Sequence, residues 1–319
     1  MFVPHNGCPQ NCSFCNQKRI TGQSHEPTEN EIINSVKTAV NAYIDLKNTE
    51  LAFFGGSFTA INKDYRTKLL TIGKKLVENY GLKGIRISTR PDCIDENILS
   101  ELSLYRVTAI ELGAQSMNDE VLRLNDRGHS KKDVIKASKL IKSTGFELGL
   151  QMMTGLYGSN DEQDLKTALE ILDLNPDTLR IYPTIVFKET KLCDLYNADL
   201  YKPQNLEEAV NLCSKIIPLC KNTKIIRLGL HDSDELKNAV AGPYHPAFRE
   251  LCESRIFYNK ISNQIKDYKN VNIYVNPKDV SKVIGQKREN IVKLKLLNIN
   301  AKVISDKNVK QGQITVKNL

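Results

Sequence analysis

Three cysteines near the start of the chain have a spacing that suits ligands of an iron–sulfur cluster. Cys8, Cys12 and Cys15 form the pattern CxxxCxxC, and Phe14 directly precedes the last of them. One tight loop of this kind can present three thiolates to three irons of a 4Fe-4S cluster, whereas ordinary cluster carriers supply four cysteines. The fourth iron then lacks a protein ligand, so the pattern predicts that a small molecule chelates it. S-adenosylmethionine (SAM) suits that position through its amino and carboxylate groups.

Zinc is the alternative metal, because it also binds thiolates and prefers four ligands. His5 or a distant cysteine would then complete the set. Zinc loops most often use CxxC pairs, and the chain has no second pair, so the spacing favours the cluster. The other cysteines are scattered through apolar or mixed segments, and we expect buried free thiols at Cys93, Cys193, Cys213, Cys220 and Cys252.

Length and composition predict a globular protein with one large core and a small appendage. The chain has 319 residues, of which 40% are hydrophobic. No segment resembles a signal peptide, and no apolar run approaches the ~18 residues of a membrane span. We therefore expect a cytoplasmic protein without membrane contact, in which cysteines serve as metal ligands or free thiols rather than disulfides.

Charge divides the chain into two parts. Residues 255–319 contain 14 Lys and Arg against 4 Asp and Glu, a net charge of +10, so residues 1–254 carry −2. We predict a main domain over 1–254 and a basic C-terminal domain over 255–319. A lysine-rich domain can bind a phosphate backbone, and a solvated surface is the alternative.

The first part of the chain repeats one unit, in which a short apolar run precedes a loop and an amphipathic helical stretch. This alternation predicts parallel strands joined by right-handed crossovers, in an α/β fold that forms a partial (β/α) barrel of six or seven units. The predicted strands are Met1–His5, Glu50–Phe54, Gly84–Thr89, Val107–Leu112, Glu147–Met153, Thr178–Pro183 and Lys224–Leu228.

Polar and glycine residues stand at the ends of five of these strands. The cysteine loop follows the first strand, and the others are Gly55, Gly56 and Ser57 after the second, Ser88 at the end of the third, Gln115 after the fourth and Gln151 near the end of the fifth. Barrels of this class carry their active sites at the C-terminal ends of the strands, so we expect all five features at one mouth.

The basic C-terminal segment reads as a small α+β module. Predicted strands at Asn272–Val275, Ala301–Ser305 and Gln313–Lys317 surround a lysine-rich helical stretch at Asp279–Leu297. Within that stretch, Gly285–Arg288 looks like the turn by which a KH module grips nucleotide backbone, although Arg288 replaces its second glycine. RNA binding and a structural cap on the barrel are both compatible with this pattern.

Taken together, these motifs resemble the radical SAM superfamily. Within it they are most similar to the branch of the Elongator catalytic subunit and the oxygen-independent coproporphyrinogen oxidase-like proteins. The resemblance covers roughly residues 1–250, and it is carried by residues 8–15, 55–59, 89–92, 111–116, 127–129 and 180–184.

The resemblance implies roles for the matching residues. Cys8, Cys12 and Cys15 would hold a 4Fe-4S cluster, and Phe14 would lie beside the adenine of SAM. It also implies that electron transfer into SAM forms a 5′-deoxyadenosyl radical, with the electron coming from a donor such as flavodoxin or ferredoxin.

Other matching positions would bind the rest of SAM. The stretch 55–57 would receive the methionine amino group through backbone carbonyls, where glycine permits close approach. Gln115 and Gln151 would hydrogen-bond the ribose or methionine portion, and Arg127 would pair with the carboxylate through its planar fork. Ser88 is also a cofactor-binding candidate, although several relatives have glutamate there.

Three further residues are candidates for catalysis. Tyr244 and His245 lie between two prolines and could face substrate or move a proton, while a packed linker is the alternative. His129 could orient Arg127, and a surface or capping role is the alternative.

The resemblance and the basic tail together predict a radical SAM enzyme that modifies RNA, in particular tRNA. No acetyltransferase domain is expected, because the stretch after Leu228 lacks the length and the glycine-rich acyl-coenzyme A loop. A small-molecule enzyme of the coproporphyrinogen oxidase-like type and a non-catalytic metal- or RNA-binding protein are the alternatives.

Overall fold

The main feature of the fold is a sheet of seven parallel strands. The computed structural model describes residues 1–3, 11–15, 25–42, 45–230, 236, 239–265 and 268–319. In order across the sheet the strands are β1 (Phe2–Val3), β2 (Glu50–Gly55), β3 (Gly84–Thr89), β4 (Val107–Gln115), β5 (Glu147–Thr154), β6 (Thr178–Pro183) and β8 (Lys224–Leu228). The predicted partial α/β barrel is confirmed.

Helices follow most of the strands, as the repeating unit predicted. They are α1 (Glu29–Asn41), α2 (Lys63–Tyr80), α3 (Glu96–Ser103), α4 (Asp119–Leu124), α5 (Lys131–Ser143), α6 (Asp161–Asp173) and α7 (Lys191–Asn197). Their starts are fixed by side chains that accept backbone N–H groups of the first turn, for example Ser130 at α5 and Asn160 at α6. In the described ranges, no helix combines the length and the apolar character that crossing a membrane requires.

The strands alternate between an apolar and a polar face. On β3, Ile85 is fully buried, and a side chain added at Gly73 of α2 would meet it at 2.7 Å, so this face packs under the helices. Arg86 and Ser88 therefore point to the opposite face. The same alternation on β4 to β6 gives the inner face of the sheet a row of polar side chains.

Three details of this part of the chain differ from what the sequence predicts. The amphipathic pattern near Thr28–Leu46 predicts one helix, but α1 ends at Asn41 and residues 46–48 form a separate 3₁₀ turn. A short antiparallel pair, β7 (Val186–Phe187) with β9 (Ala239–Ala241), was not predicted, and neither was α7. Both are short segments with little periodicity.

The chain forms two compact units. The first comprises Met1–Gln204 and Cys220–Pro243, and the second comprises Asn205–Leu219 and Tyr244–Leu319. The boundary between the units thus falls after Pro243, and the second unit also includes the helical segment Asn205–Leu219. The predicted domains 1–254 and 255–319 remain a prediction.

The second unit is a small α+β structure, as expected. Its elements are α8 (Leu206–Ile216), α9 (Phe248–Gln264), β10 (Asn270–Val275), α10 (Val280–Ile284), α11 (Glu289–Leu296), β11 (Asn300–Ser305) and β12 (Ile314–Asn318). β10 lies in the middle of a three-stranded sheet, parallel to β11 and antiparallel to β12. The amphipathic pattern near Leu206–Cys220 predicts a longer helix, but α8 ends at Ile216, because Pro218 cannot continue the backbone hydrogen bonds.

Candidate active site

The cysteine loop follows β1, at the C-terminal edge of the sheet. Cys12 is buried and Cys15 is half-buried, and the Cys15 N–H donates to the Cys12 carbonyl at 3.0 Å, which closes a tight turn between them. Two of the three predicted ligands are thus on one turn. Cys8 and the alternative zinc ligand His5 lie outside the described residues.

Arg127 connects this turn to the sheet. Its Nη1 donates to the Cys12 sulfur at 3.3 Å, and its Nη2 donates to the Gly113 carbonyl near the end of β4 at 2.7 Å. The side chain is buried, with 6% of its surface exposed. Arg127 therefore joins the cysteine turn to the end of β4.

Gln115, another predicted residue, lies close to Arg127. Gln115 ends β4 in the left-handed region, with φ 64°, where the register between β4 and β5 shifts. A side chain added at Gly113 would meet the Gln115 Nε2 at 3.1 Å and the Arg127 Nη2 at 3.4 Å, so glycine leaves room for both.

His129 is buried behind the same strand end. Its Nε2 donates to the Ala114 carbonyl at 3.1 Å, since a carbonyl only accepts. Burial and the charge of Arg127 lower the pKa of His129 to about 4, so the ring is neutral near pH 7. The other ring nitrogen, Nδ1, is therefore an acceptor.

Three buried polar atoms at this place have no partner among the described residues. They are the acceptors Gln115 Oε1 and His129 Nδ1 and the donor Arg127 Nε. Buried polar groups in native proteins are almost always paired, so each of these atoms requires a ligand or water. The mixture of donors and acceptors beside Cys12 fits a zwitterionic amino-acid group such as the methionine portion of SAM.

The predicted Gly-Gly-Ser stretch closes the β2 end of the sheet. Gly55 has φ 144°, and a side chain there would lie 1.9 Å from the Val3 carbonyl of β1, so only glycine fits. The Ser57 hydroxyl is hydrogen-bonded to the Thr89 hydroxyl at 2.8 Å and accepts from the Arg90 N–H at 3.2 Å. This serine therefore braces β2 against β3.

The other two predicted residues belong to a buried charge network. Gln151 Nε2 donates to Glu111 Oε2 at 2.9 Å and to the Ser88 hydroxyl at 3.4 Å. Glu111, which is 1% exposed, also accepts two hydrogen bonds from Arg180, at 2.6 and 3.0 Å, and one from Arg86 at 3.4 Å. We did not predict Glu111, Arg86 or Arg180, although a single charge in an otherwise apolar strand was a usable signal.

The remaining candidates are Phe14, Tyr244 and His245. Phe14 packs against an apolar group that includes Leu192 and Tyr201. Tyr244 and His245 belong to the second compact unit, where the Ala247 N–H donates to His245 Nδ1 at 3.1 Å. Their catalytic roles, like the adenine contact of Phe14, remain predictions.

Comparison with protein families gives two adjoining matches. A family described as the radical SAM superfamily matches residues 2–171, and one described as the Radical_SAM C-terminal domain matches residues 176–257. The first match alone spans more than half of the 319 residues.

Curated relatives are similar over part of their length. The tRNA uridine(34) acetyltransferase of Methanocaldococcus infernus is 33% identical over 185 residues, which is 52% of this chain and 35% of that protein. Elongator complex protein 3 of Homo sapiens is 32% identical over 177 residues, which is 54% of this chain and 32% of that protein. The chain thus matches about a third of each of these relatives.

Solved structures share the fold. The archaeal Methanocaldococcus infernus Elp3 with an N-terminal deletion has a TM-score of 0.65 and 26% identity, covering 72% of this chain and 58% of that one. Methylornithine synthase has a TM-score of 0.51 and 18% identity, covering 70% of this chain and 63% of that one.

Proposed function

The chain belongs to the radical SAM superfamily, and from that membership we propose that it is a radical SAM enzyme that acts on RNA. In this proposal Cys8, Cys12 and Cys15 hold a 4Fe-4S cluster, and SAM binds beside Arg127. When bound, the two cofactors supply a 5′-deoxyadenosyl radical that removes a hydrogen atom from the substrate. A flavodoxin or ferredoxin would donate the electron.

The contact of Arg127 with Cys12 carries the proposal. The guanidinium lies 3.3 Å from the Cys12 sulfur, and its Nε has no partner among the described residues. It can therefore donate to a carboxylate while staying next to a cluster ligand. Gln115 Oε1 and neutral His129 Nδ1 offer acceptors to an ammonium group nearby.

Production of 5′-deoxyadenosine tests the radical step. The protein is reconstituted with iron and sulfide without air, reduced with dithionite, and incubated with SAM. We expect the wild type to form 5′-deoxyadenosine and Cys12→Ala to lose both the cluster absorption and the product. Cys220→Ala removes a half-buried thiol outside the loop and should leave both unchanged. A Cys12→Ala protein that still forms the product would contradict the assignment of the ligands.

Charge and one turn support RNA as the substrate class. Residues 255–319 carry a net charge of +10, and the curated relatives include enzymes named for tRNA uridine(34). Between α10 and α11, Lys287 and Arg288 are exposed and adopt left-handed φ values of 51° and 64°. Such backbone costs about 1–3 kcal/mol for residues other than glycine and is concentrated at functional positions.

A buried asparagine braces this turn from behind. Asn290 Nδ2 donates to the Ser254 hydroxyl of α9 at 2.9 Å and to the Val283 carbonyl at 3.1 Å. Gly285 has no room for a side chain, because an added one would lie 2.9 Å from the Ser254 hydroxyl. The two basic side chains are thus held outward on a fixed backbone, which suits contacts with phosphates.

Substitution of Arg288 by glycine tests the RNA proposal. Glycine adopts the same φ without strain, so Arg288→Gly removes the charge and preserves the turn. We expect weaker binding of an unmodified tRNA transcript to the full chain. The slope of log Kd against log salt should fall by about 0.7–0.9, as for one lost phosphate contact.

The matched control is Lys139→Ala, which removes one exposed charge from α5. Its tRNA affinity should stay at the wild-type value. Equal losses in both variants would indicate that only the total charge matters. Robust 5′-deoxyadenosine formation without any tRNA binding would favour a small-molecule substrate instead.

A further inference from the structure

A buried serine lies between two of the cluster cysteines. Ser13 has no exposed surface and uses all of its hydrogen-bonding groups. Its N–H donates to the Asn125 carbonyl at 3.1 Å, its hydroxyl donates to Asn125 Oδ1 at 2.7 Å, and its carbonyl accepts from the Leu192 N–H at 2.8 Å.

These bonds join the cysteine loop to the ends of two helices. Asn125 is the C-terminal cap of α4, where carbonyl groups have no partner within the helix. Leu192 lies in the first turn of α7, where N–H groups have none. Ser13 therefore satisfies one free acceptor and one free donor that the helix geometry leaves at fixed positions.

The side chain of Asn125 extends the connection to a third element. Asn125 is fully buried, and its Nδ2 donates to the Val121 carbonyl of α4 at 2.8 Å and to the Tyr157 carbonyl at 2.9 Å. Tyr157 lies in the loop after β5, the strand that carries Gln151. One amide thus links the cysteine loop, α4 and the loop after β5.

We infer that Ser13 and Asn125 are positioning residues that hold Cys12 and Cys15 in a cluster-binding arrangement and so set how firmly the cluster is retained. This inference rests on the proposed function. The backbone of the turn is short, since the Cys15 N–H bonds the Cys12 carbonyl, so fixing Ser13 fixes both neighbouring cysteines. Partners that orient metal ligands typically change metal affinity by about 10- to 100-fold when removed.

Two substitutions separate the components of this connection. Ser13→Ala removes the hydroxyl and keeps both backbone hydrogen bonds, while it leaves Asn125 Oδ1 without its donor. Asn125→Asp keeps the size and the acceptor but removes the donor to the Val121 and Tyr157 carbonyls. Ser13→Thr retains a hydroxyl and serves as the conservative rescue.

The test measures how fast a ferrous chelator removes iron from the reconstituted full-length protein in the absence of air. The decrease in the cluster's visible absorption gives this rate. We expect iron loss to be about tenfold faster or more in Ser13→Ala and Asn125→Asp, and near the wild-type rate in Ser13→Thr. The matched control is Ser138→Ala on α5, because that hydroxyl is also buried but has no partner among the described residues. It should leave the rate unchanged.

The outcomes distinguish the two proposals. If the wild-type cluster is stable and Ser13→Ala loses iron no faster than Ser138→Ala, the positioning role is overturned. The proposed function would still stand in that case. A wild type that takes up no iron–sulfur cluster overturns both. Should Asn125→Asp fail to fold, Ser13→Ala alone decides, because it changes one hydroxyl.

Discussion

Arg127 and His129 illustrate how one charge shapes its neighbours at the level of single residues. Arg127 donates to the Cys12 sulfur and to the Gly113 carbonyl, and its charge helps to keep the buried His129 neutral. A neutral His129 keeps Nδ1 as an acceptor at physiological pH. The sequence indicated both residues, but their burial and the direction of the hydrogen bonds follow only from the fold.

The depressed pKa of His129 predicts a pH-dependent stability. Its pKa is about 4 in the folded protein and 6.5 as the ordinary value, so the folded state binds fewer protons between these values. The stabilisation is complete above the ordinary pKa and is lost as pH falls toward 4, by about 3 kcal/mol at 1.36 kcal/mol per pKa unit.

The measurement compares the wild type with His129→Gln, whose side-chain amide can still donate to the Ala114 carbonyl. We expect the difference in unfolding free energy between them to shift by about 3 kcal/mol against the wild type between roughly pH 7 and pH 4. Burial raises the pKa of Asp164 to about 6, which acts in the opposite direction, but it is present in both proteins and cancels. A difference independent of pH would contradict the neutral, buried ring.

Among the secondary-structure elements, the parallel strands are connected by a buried network of ion pairs. Glu111 on β4 lies opposite Ser88 of β3 and Gly149 of β5 in the register. Arg86 on β3 and Arg180 on β6 lie at other register positions on the same inner face, and their long side chains reach the carboxylate diagonally. The Glu111 carboxylate lies between two guanidinium groups, 3.4 Å from Arg86 and 2.6 Å from Arg180. This network keeps the inner face polar and rigid below the strand ends.

Removal of the central carboxylate should destabilise the barrel. Glu111→Gln removes the carboxylate that pairs with Arg180 at 2.6 Å, whereas Arg86 keeps Glu50 and Glu147, each at 2.7 Å. Breaking a buried ion pair from one side costs about 3–5 kcal/mol. Chemical denaturation should show this loss. The control Glu120→Gln breaks an exposed pair with Arg123 and should have no measurable effect. Equal effects of both substitutions would show that the network contributes nothing special.

For the whole molecule, the sequence predicted the barrel well because short β-type runs alternate regularly with amphipathic helical stretches. Strands such as Gly84–Thr89 and Thr178–Pro183 have the predicted bounds. The contact of Ser13 with Asn125 was out of reach, since 112 positions separate the two residues and nothing local marks either one. Glu111 differs, because a single charge in an otherwise apolar strand marks it locally, but its partners depend on strand register.

The two predicted domains also differ in charge, and this difference follows from composition alone. Residues 255–319 are strongly basic while residues 1–254 are slightly acidic. Long-range electrostatic attraction toward a polyanion would therefore originate mainly from the C-terminal segment. Which substrate atom is attacked depends on contacts that composition does not encode.

Electron paramagnetic resonance tests most directly whether the protein holds a 4Fe-4S cluster that binds SAM. The reconstituted protein is reduced without air and measured before and after addition of SAM. We expect the signal of a reduced 4Fe-4S cluster, and a change in that signal when SAM binds. One tightly bound zinc ion, with no paramagnetic signal after reduction, would contradict this expectation.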